Sequence, residues 1–194
     1  MTTFENHSAA TPLQSSPHFE DLKTMRLDLV AMSRESLQCQ AEDAPDMRRK
    51  LGAILRCDVP DGWPHENWEP HVYAYLLNLM ATDAEAMGWC RYLMLRNGSG
   101  GRVLIGSFGS GFPKAETGEA EIGYGLLGEF QRQGFAAEAV MAMLPWLRTR
   151  RPVKAFVAQT FPHLYGSIRV MEKCGLVYAG PGFEEGTVLY REQV

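Results

Sequence analysis

The sequence of 194 residues predicts one α+β domain built around a mixed β-sheet. Three observations support this fold class. Apolar residues recur at helical spacing in the first half of the chain. Alternating apolar and polar runs separated by glycine-containing turns come next, and the last third alternates strand and helix patterns. Elements in this order are typical of helices that pack against the faces of a single sheet.

The first half of the chain is expected to form one strand and three helices. Residues 25–32 alternate apolar and polar side chains, which indicates a half-buried strand. Ser33 is a suitable N-cap for the helix that follows, since its hydroxyl can accept a hydrogen bond from a free backbone N–H. Apolar residues recur every three or four positions in residues 46–55 and about 69–80, which predicts two further helices. The prolines and glycine of residues 59–64 predict a loop between them.

The second half of the chain contributes most of the predicted sheet. Alternating patterns indicate three strands, at residues 89–95, 103–108 and 120–127. A helix is expected at about residues 135–148, and Pro145 should kink it or end its regular part early. The chain then closes with a strand, a helix and two short strands, at residues 153–160, 165–174, 176–178 and 188–191.

Charge and apolar content restrict the class of partner. The chain has 19 Lys and Arg against 23 Asp and Glu, a formal net charge of −4. Nucleic-acid binders usually carry a basic balance or stripe, so no nucleic-acid partner is expected. No apolar run approaches the ~20 residues that span a bilayer, so no membrane partner is expected either. The cysteines have no metal-site spacing, which predicts no metal and free thiols in a reducing cytoplasm: Cys39, Cys57, Cys90 and Cys174.

The N-terminal segment differs in composition from the remainder. It is rich in Ser, Thr, Pro and Asn, and it lacks the basic and apolar regions of a signal peptide. We therefore expect residues 1–22 to be a disordered leader and residues 23–194 to form the folded domain.

The connection between a strand and an alanine-rich helix is the most informative segment. The strand of residues 120–127 is followed by a polar loop and a helix start that contain Gln131, Arg132, Gln133, Gly134, Phe135, Ala136 and Ala137. Free backbone N–H groups and the helix dipole favour an anion at such a helix N-terminus. The guanidinium of Arg132 can add a charged contact, and Gly134 lets the anion approach the backbone. The alternative is an ordinary strand–loop–helix connection that uses a glycine for its turn.

The segment Gln131-Arg-Gln-Gly-Phe-Ala136 resembles the [Q/R]-x-x-G-x-[G/A] signature of the GNAT superfamily of N-acetyltransferases. Residues 121–124 before it and 137–139 after it agree with this resemblance, and residues 167–176 look like the helix and strand that close the fold. The branch with ribosomal-protein alanine and serine N-acetyltransferases is the most similar. The resemblance implies a GNAT-like fold, in which helices flank a central mixed, mostly antiparallel β-sheet.

The resemblance also implies a donor and an acceptor. Acetyl-CoA would be the acetyl donor, with its pyrophosphate on the N–H groups of residues 132–137. Its pantetheine arm would lie as a short extra strand along Tyr124, Gly125 and Leu126, where a backbone N–H polarises the thioester carbonyl. The acceptor would be a primary amine, either a protein N-terminus or a small molecule, and a homodimer would be one possible assembly.

Two residues are candidates for the proton transfers. An alkylamine is almost entirely protonated at pH 7, so a base is needed, and Glu121 at the start of its strand is the first candidate. The alternative for Glu121 is a solvated strand residue, and Glu184 and Glu185 are further candidates for the base. Ser167 occupies the position where relatives carry a serine thought to protonate the departing thiolate. The alternative for Ser167 is a hydroxyl that satisfies backbone donors at a helix start.

The sequence therefore predicts an acetyl-CoA-dependent N-acetyltransferase that works by direct attack in a ternary complex, because no cysteine lies in the signature region. The alternative is a catalytically silent acyl-CoA-binding or sensing module. Met171 and Gln159 keep it open, since they replace a general-acid tyrosine and a glutamate of some relatives. Three tryptophans could line an acceptor pocket, but we favour core packing for them: Trp63, Trp68 and Trp89. Three histidines share no ligand spacing, and we interpret them as surface or core residues: His65, His71 and His163.

Overall fold

The structure is a computed structural model that describes residues 19–65, 68–83, 85–98 and 100–193. Most of the predicted leader, up to residue 18, lies outside the described residues. The last part of that segment contacts the domain, since the Phe19 ring packs edge-on against Trp146 and Leu22 begins the first strand.

Within the described residues, eight strands form one sheet in the order β1-β2-β3-β4-β5-β6-β8-β7. Neighbouring strands are antiparallel, except that β5 and β6 are parallel. The predicted mixed, mostly antiparallel sheet is therefore confirmed. The strands are β1 (Leu22–Lys23), β2 (Leu27–Ala31), β3 (Cys90–Arg96), β4 (Arg102–Ser110), β5 (Glu119–Leu126), β6 (Ala155–Thr160), β7 (Leu176–Pro181) and β8 (Val188–Glu192).

The described part of the chain also contains six α-helices. Ser33 caps the first of them as predicted, and its hydroxyl accepts a hydrogen bond from the N–H of Ser36. The helices are α1 (Arg34–Ala41), α2 (Met47–Leu55), α3 (Pro70–Thr82), α4 (Ala86–Trp89), α5 (Phe135–Arg148) and α6 (Tyr165–Lys173).

Alternation along the strands gives the sheet two buried faces. Leu93 and Ile105 pack with α5 and α6 on one face, whereas Tyr92, Met94 and Leu104 pack with α1, α2 and α3 on the other. Both faces are apolar because helices cover both. The C-terminal helices and the N-terminal helices are therefore separated by the sheet.

Three local features differ from the sequence prediction. Pro145 does not end α5, which continues to Arg148. A proline this close to the helix end removes a single backbone hydrogen bond, and the buried side chains of Leu144 and Leu147 hold the last turn against the sheet. The strand β1 and the single turn of α4 were not predicted, because two and four residues are too short for a periodic pattern.

Candidate active site

A gap between β5 and β6 lies at the centre of the sheet. The two strands pair only from Glu119 to Glu121, and beyond Glu121 the described residues provide β5 with a strand partner on one side only, namely β4. β6 turns away to pair with β8. The backbone of Tyr124 and Gly125 thus presents an edge that an extended ligand could pair with.

The N-terminus of α5 lies at the far end of this edge. Gly134 is its N-cap with φ 83°, a conformation that favours glycine, and Arg132 also has a positive φ of 60°. The first hydrogen bond of the helix runs from the Glu138 N–H to the Gly134 carbonyl. The N–H groups from Gly134 to Ala137 precede it and have no partner within the helix. The side chains of residues 135–137 are buried, so these residues offer only backbone donors to an anion.

Arg26 brings a second cation to this helix start, and sequence reasoning missed it. Its Nη1 donates to the Gln133 carbonyl at 3.0 Å, and its Nε lies 2.7 Å from Glu138 Oε2. A Cβ atom on Gly134 would lie 3.5 Å from Arg26 Nη2. Burial raises the pKa of Glu138, but hydrogen bonds from Thr24 and Arg26 outweigh it and hold the pKa below its usual range. The anionic Glu138 therefore fixes Arg26 beside the predicted phosphate position.

Two side chains of the GNAT signature, those of Gln131 and Gln133, form hydrogen bonds to nearby backbone carbonyls. Gln131 Nε2 donates to the Leu126 carbonyl at 3.1 Å, and Gln133 Nε2 donates to the Glu129 carbonyl at 2.9 Å. The carbonyl of Leu126 is therefore already paired, although the sequence analysis assigned Leu126 to the pantetheine edge. Arg132 is exposed and remains the cation of this loop that faces solvent.

Tyr124 and Ser167 meet across the gap. The Tyr124 hydroxyl donates to the Ser167 carbonyl at 3.0 Å and lies 3.4 Å from Ser167 Oγ. Burial raises the pKa of Tyr124 to about 12, so its phenol is protonated at neutral pH. Ser167 is the third residue of α6, and the N-cap is Leu164, with no side-chain cap at this end. The structure therefore places the Ser167 hydroxyl beside the Tyr124 phenol and not in a capping hydrogen bond.

A cavity of about 540 Å³ opens onto the same part of β5. Its walls come from the N-terminal helices on one side and from β4 and β5 on the other. Glu121 and Tyr124 line it, and so does Glu184, whereas Glu185 does not. The apolar part of the wall consists mainly of Met32, Trp68, Val72, Leu76 and Phe108.

Glu121 is held in position by Gln159 of β6. Gln159 Nε2 donates to Glu121 Oε1 at 2.9 Å. Gln159 Oε1 accepts hydrogen bonds from the N–H of Phe183 at 2.8 Å and from the Thr187 hydroxyl at 3.0 Å. These donors fix the orientation of the Gln159 amide, which leaves its NH₂ group for the carboxylate. Gln159 is no base itself, but it orients the carboxylate at the gap.

His65 and Trp68 belong to the cavity wall. For Trp68 this agrees with the pocket alternative rather than the favoured core interpretation, whereas His65 was expected only at the core or surface. His65 is 9% exposed, and its Nε2 lies 2.8 Å from Ser107 Oγ. Trp63 and Trp89 are buried core residues as predicted. His65 and Ser107 are 42 residues apart in sequence, so no local pattern could have indicated their contact.

Comparison with protein families identifies the family of the chain. A family model described as an acetyltransferase (GNAT) domain matches residues 38–177. The chain belongs to the GNAT acetyltransferase family. This confirms the resemblance drawn from the signature at residues 131–136. No curated protein matches the chain.

Solved structures of acetyltransferases superpose on most of the chain. An acetyltransferase from Agrobacterium tumefaciens has a TM-score of 0.59 at 21% identity, covering 96% of this chain and 100% of its own. RimL, a ribosomal L7/L12 alpha-N-protein acetyltransferase in complex with coenzyme A, has a TM-score of 0.58 at 16% identity, covering 90% and 98%. MccE, a microcin C7 self-immunity acetyltransferase in complex with acetyl-CoA and AMP, has a TM-score of 0.56 at 13% identity, covering 88% and 93%. These superpositions confirm the predicted GNAT-like fold.

The described residues contain neither a membrane-spanning helix nor a metal-binding group. None of their helices is both long and apolar enough to cross a membrane. In the same part of the chain, no three His, Cys, Asp or Glu side chains are grouped so that they could hold a metal ion.

Proposed function

We propose that this GNAT domain transfers an acetyl group from acetyl-CoA to a primary amine by direct attack in a ternary complex. One observation carries the proposal. The free edge of β5 connects the anion-binding start of α5 at one end with Glu121 and the cavity at the other. A single extended cofactor could occupy that edge while the amine occupies the cavity.

The chain offers a suitable site for the cofactor. Gly134 has no Cβ to cover the N–H groups of the first turn of α5, and Arg26 and Arg132 add positive charge beside them. Acetyl-CoA supplies the activated acetyl group when bound. The backbone N–H groups of β5 next to Tyr124 would pair with its pantetheine arm and polarise the thioester carbonyl.

Glu121 is the group best placed to accept the proton of the amine. Its carboxylate lines the cavity, and Gln159 holds only one of its oxygens. The second oxygen can face an ammonium group, accept its proton and leave a neutral nucleophile. This role requires the carboxylate to stay on the β5 side of the cavity, which the Gln159 amide ensures.

Ser167 and Tyr124 are the hydroxyls that can return a proton to the thiolate. They lie across the gap from one another, on α6 and β5. The Tyr124 proton is engaged with the Ser167 carbonyl, so the Ser167 hydroxyl is the donor that is free to rotate. We therefore assign the proton transfer to Ser167 and the positioning of Ser167 to Tyr124.

The cavity wall favours one kind of amine. Both charged side chains in the wall, Glu121 and Glu184, are acidic, and none of the described lining residues is Lys or Arg. A carboxylate on the acceptor would find no cation there, whereas an ammonium group and an apolar body would both be accommodated. The structure favours apolar primary amines without a carboxylate over free amino acids.

The cysteines of the described chain are free thiols, which supports a reducing, cytoplasmic location.

The test is the release of free thiol from acetyl-CoA in the presence of an apolar amine and of its amino-acid counterpart. We expect release with the amine, slower release with the amino acid, and a decrease of about 10²–10⁴-fold in Glu121→Gln with unchanged CoA affinity. Direct attack also predicts that no radiolabelled acetyl group stays on the protein when the amine is omitted. If the protein binds CoA but releases no thiol from acetyl-CoA with any amine tested, the result would instead support a silent acyl-CoA-binding module.

A further inference from the structure

A buried polar cluster in the cavity wall has no role in the function proposed so far. It consists of His65, Trp68 and Ser107. His65 Nε2 lies 2.8 Å from Ser107 Oγ and 3.1 Å from Trp68 Nε1. Trp68 Nε1 also lies 3.2 Å from Ser107 Oγ. Two residues from the segment between α2 and α3 thus converge on one hydroxyl of β4.

The contact with the indole is the basis for assigning the tautomer of His65. An indole N–H can only donate, and it lies within reach of both His65 Nε2 and Ser107 Oγ, so we assign Nε2 as an acceptor of the Trp68 N–H. The imidazole proton is then on Nδ1. This atom is buried, in agreement with the 9% exposure of His65, and it has no hydrogen-bond partner among the described residues. An unpaired buried donor is costly, and a ligand in the cavity could satisfy it.

The packing against Gly125 shows which way this donor faces. A Cβ atom on Gly125 would lie 2.5 Å from His65 Cε1 and 2.9 Å from each ring nitrogen. Gly125 therefore has to be a glycine for the imidazole to rest on β5. Ser107 is directly opposite Gly125 in the pairing of β4 with β5. Because Nε2 faces Ser107, and the two nitrogens flank Cε1, Nδ1 is turned away from β4. That side of β5 is the edge that, beyond Glu121, has no strand partner among the described residues.

We propose that His65 donates a hydrogen bond from Nδ1 to a carbonyl oxygen of the acyl-pantetheine arm at this edge. The inference rests on the proposed function, because it needs the arm to lie along β5. The oxygen belongs either to the thioester or to an amide of the arm. At the thioester, His65 would add a side-chain donor where negative charge develops during acetyl transfer. At an amide, it would fix the position of the arm.

Two variants of His65 and one matched control test this proposal. His65→Phe keeps a ring of similar size without a donor, and Trp68 retains its contact with Ser107. His65→Asn keeps an amide donor near the position of Nδ1. His71→Phe is the control, because His71 is an exposed histidine of α3 outside the cavity wall. For each, the measurements are melting temperature, the Kd values for CoA and acetyl-CoA by titration calorimetry, and the single-turnover rate.

The two sources of the carbonyl give different results. A thioester contact predicts that His65→Phe lowers the single-turnover rate about 10²–10³-fold and weakens acetyl-CoA binding, while CoA affinity stays within twofold. An amide contact predicts that CoA and acetyl-CoA both bind at least about tenfold more weakly. In either case His65→Asn should recover part of the loss, which a purely structural role would not produce.

Other results would overturn the proposal. Cofactor affinities and rates of His65→Phe equal to those of His71→Phe would show that Nδ1 contacts no part of the arm. A change confined to the KM of the amine would assign the donor to the acceptor instead. Failure of the wild-type protein to bind CoA would contradict the proposed function and this inference together.

Discussion

Gly134 and Gly175 allow the anion site to be tested without confusing binding with stability. Both have left-handed backbone conformations, with φ 83° at Gly134 and φ 85° at Gly175. An alanine at either position should cost about 1–2 kcal/mol of unfolding free energy for the strained backbone. Neither would add a severe clash, since a Cβ on Gly134 would lie 3.5 Å from Arg26 Nη2 and one on Gly175 has no atom within 4 Å.

The two variants should differ in cofactor binding. In Gly134→Ala the methyl group would lie among the N–H groups of the first turn of α5, so CoA affinity should fall at least about tenfold. In Gly175→Ala, at the end of α6, CoA affinity should equal that of the wild type. Urea denaturation measures the stability of each variant, and titration calorimetry measures CoA affinity at a temperature where both are folded. Equal CoA affinity in the two variants would refute the assignment of the pyrophosphate to α5.

Three further predictions concern the gap, the cavity wall and the support of Arg26. Ser167→Ala should lower the single-turnover rate at least about tenfold without lowering the melting temperature, because this hydroxyl makes no capping hydrogen bond. Burial lowers the pKa of His65 from 6.5 to about 4, so the unfolded chain binds the proton first as pH falls through this range. Stability should therefore be complete above about pH 6.5 and decrease by up to about 3 kcal/mol toward pH 4, and denaturation at several pH values should show a smaller decrease in His65→Phe. Glu138→Ala should lower the unfolding free energy by about 2 kcal/mol, since Arg26 loses its partner, and it should also weaken CoA binding in calorimetry.

Local sequence patterns predicted much of the fold. The alternation in residues 120–127 and the helical spacing in residues 135–148 each depend on neighbours in sequence, and β5 and α5 follow them within one residue. The N-cap at Ser33 was predictable for the same reason. Pro145 shows the limit of this reasoning, because tertiary packing holds the last turn of α5 despite the lost backbone hydrogen bond.

The sequence predicted the two ends of the candidate site better than its walls. The signature at residues 131–136 and the glutamate at Glu121 lie on one continuous segment, so their order along β5 could be inferred. The roles of Arg26, Gln159 and His65 were missed, because each reaches the site through contacts between distant parts of the chain. No periodicity or short motif encodes such contacts. The need for a glycine at Gly125, for example, follows only from the His65 imidazole that packs on it.

The most direct test of the account is a crystal structure of the protein with acetyl-CoA. We expect the pyrophosphate on the N–H groups of residues 134–137 and the pantetheine arm along the free edge of β5. The thioester should lie in the gap between β5 and β6, near Tyr124 and Glu121, with its acetyl group facing the cavity. A cofactor bound on the same helix start but with its thioester outside this gap would contradict the roles given to Glu121 and Ser167. A pyrophosphate bound elsewhere on the protein would contradict the account as a whole.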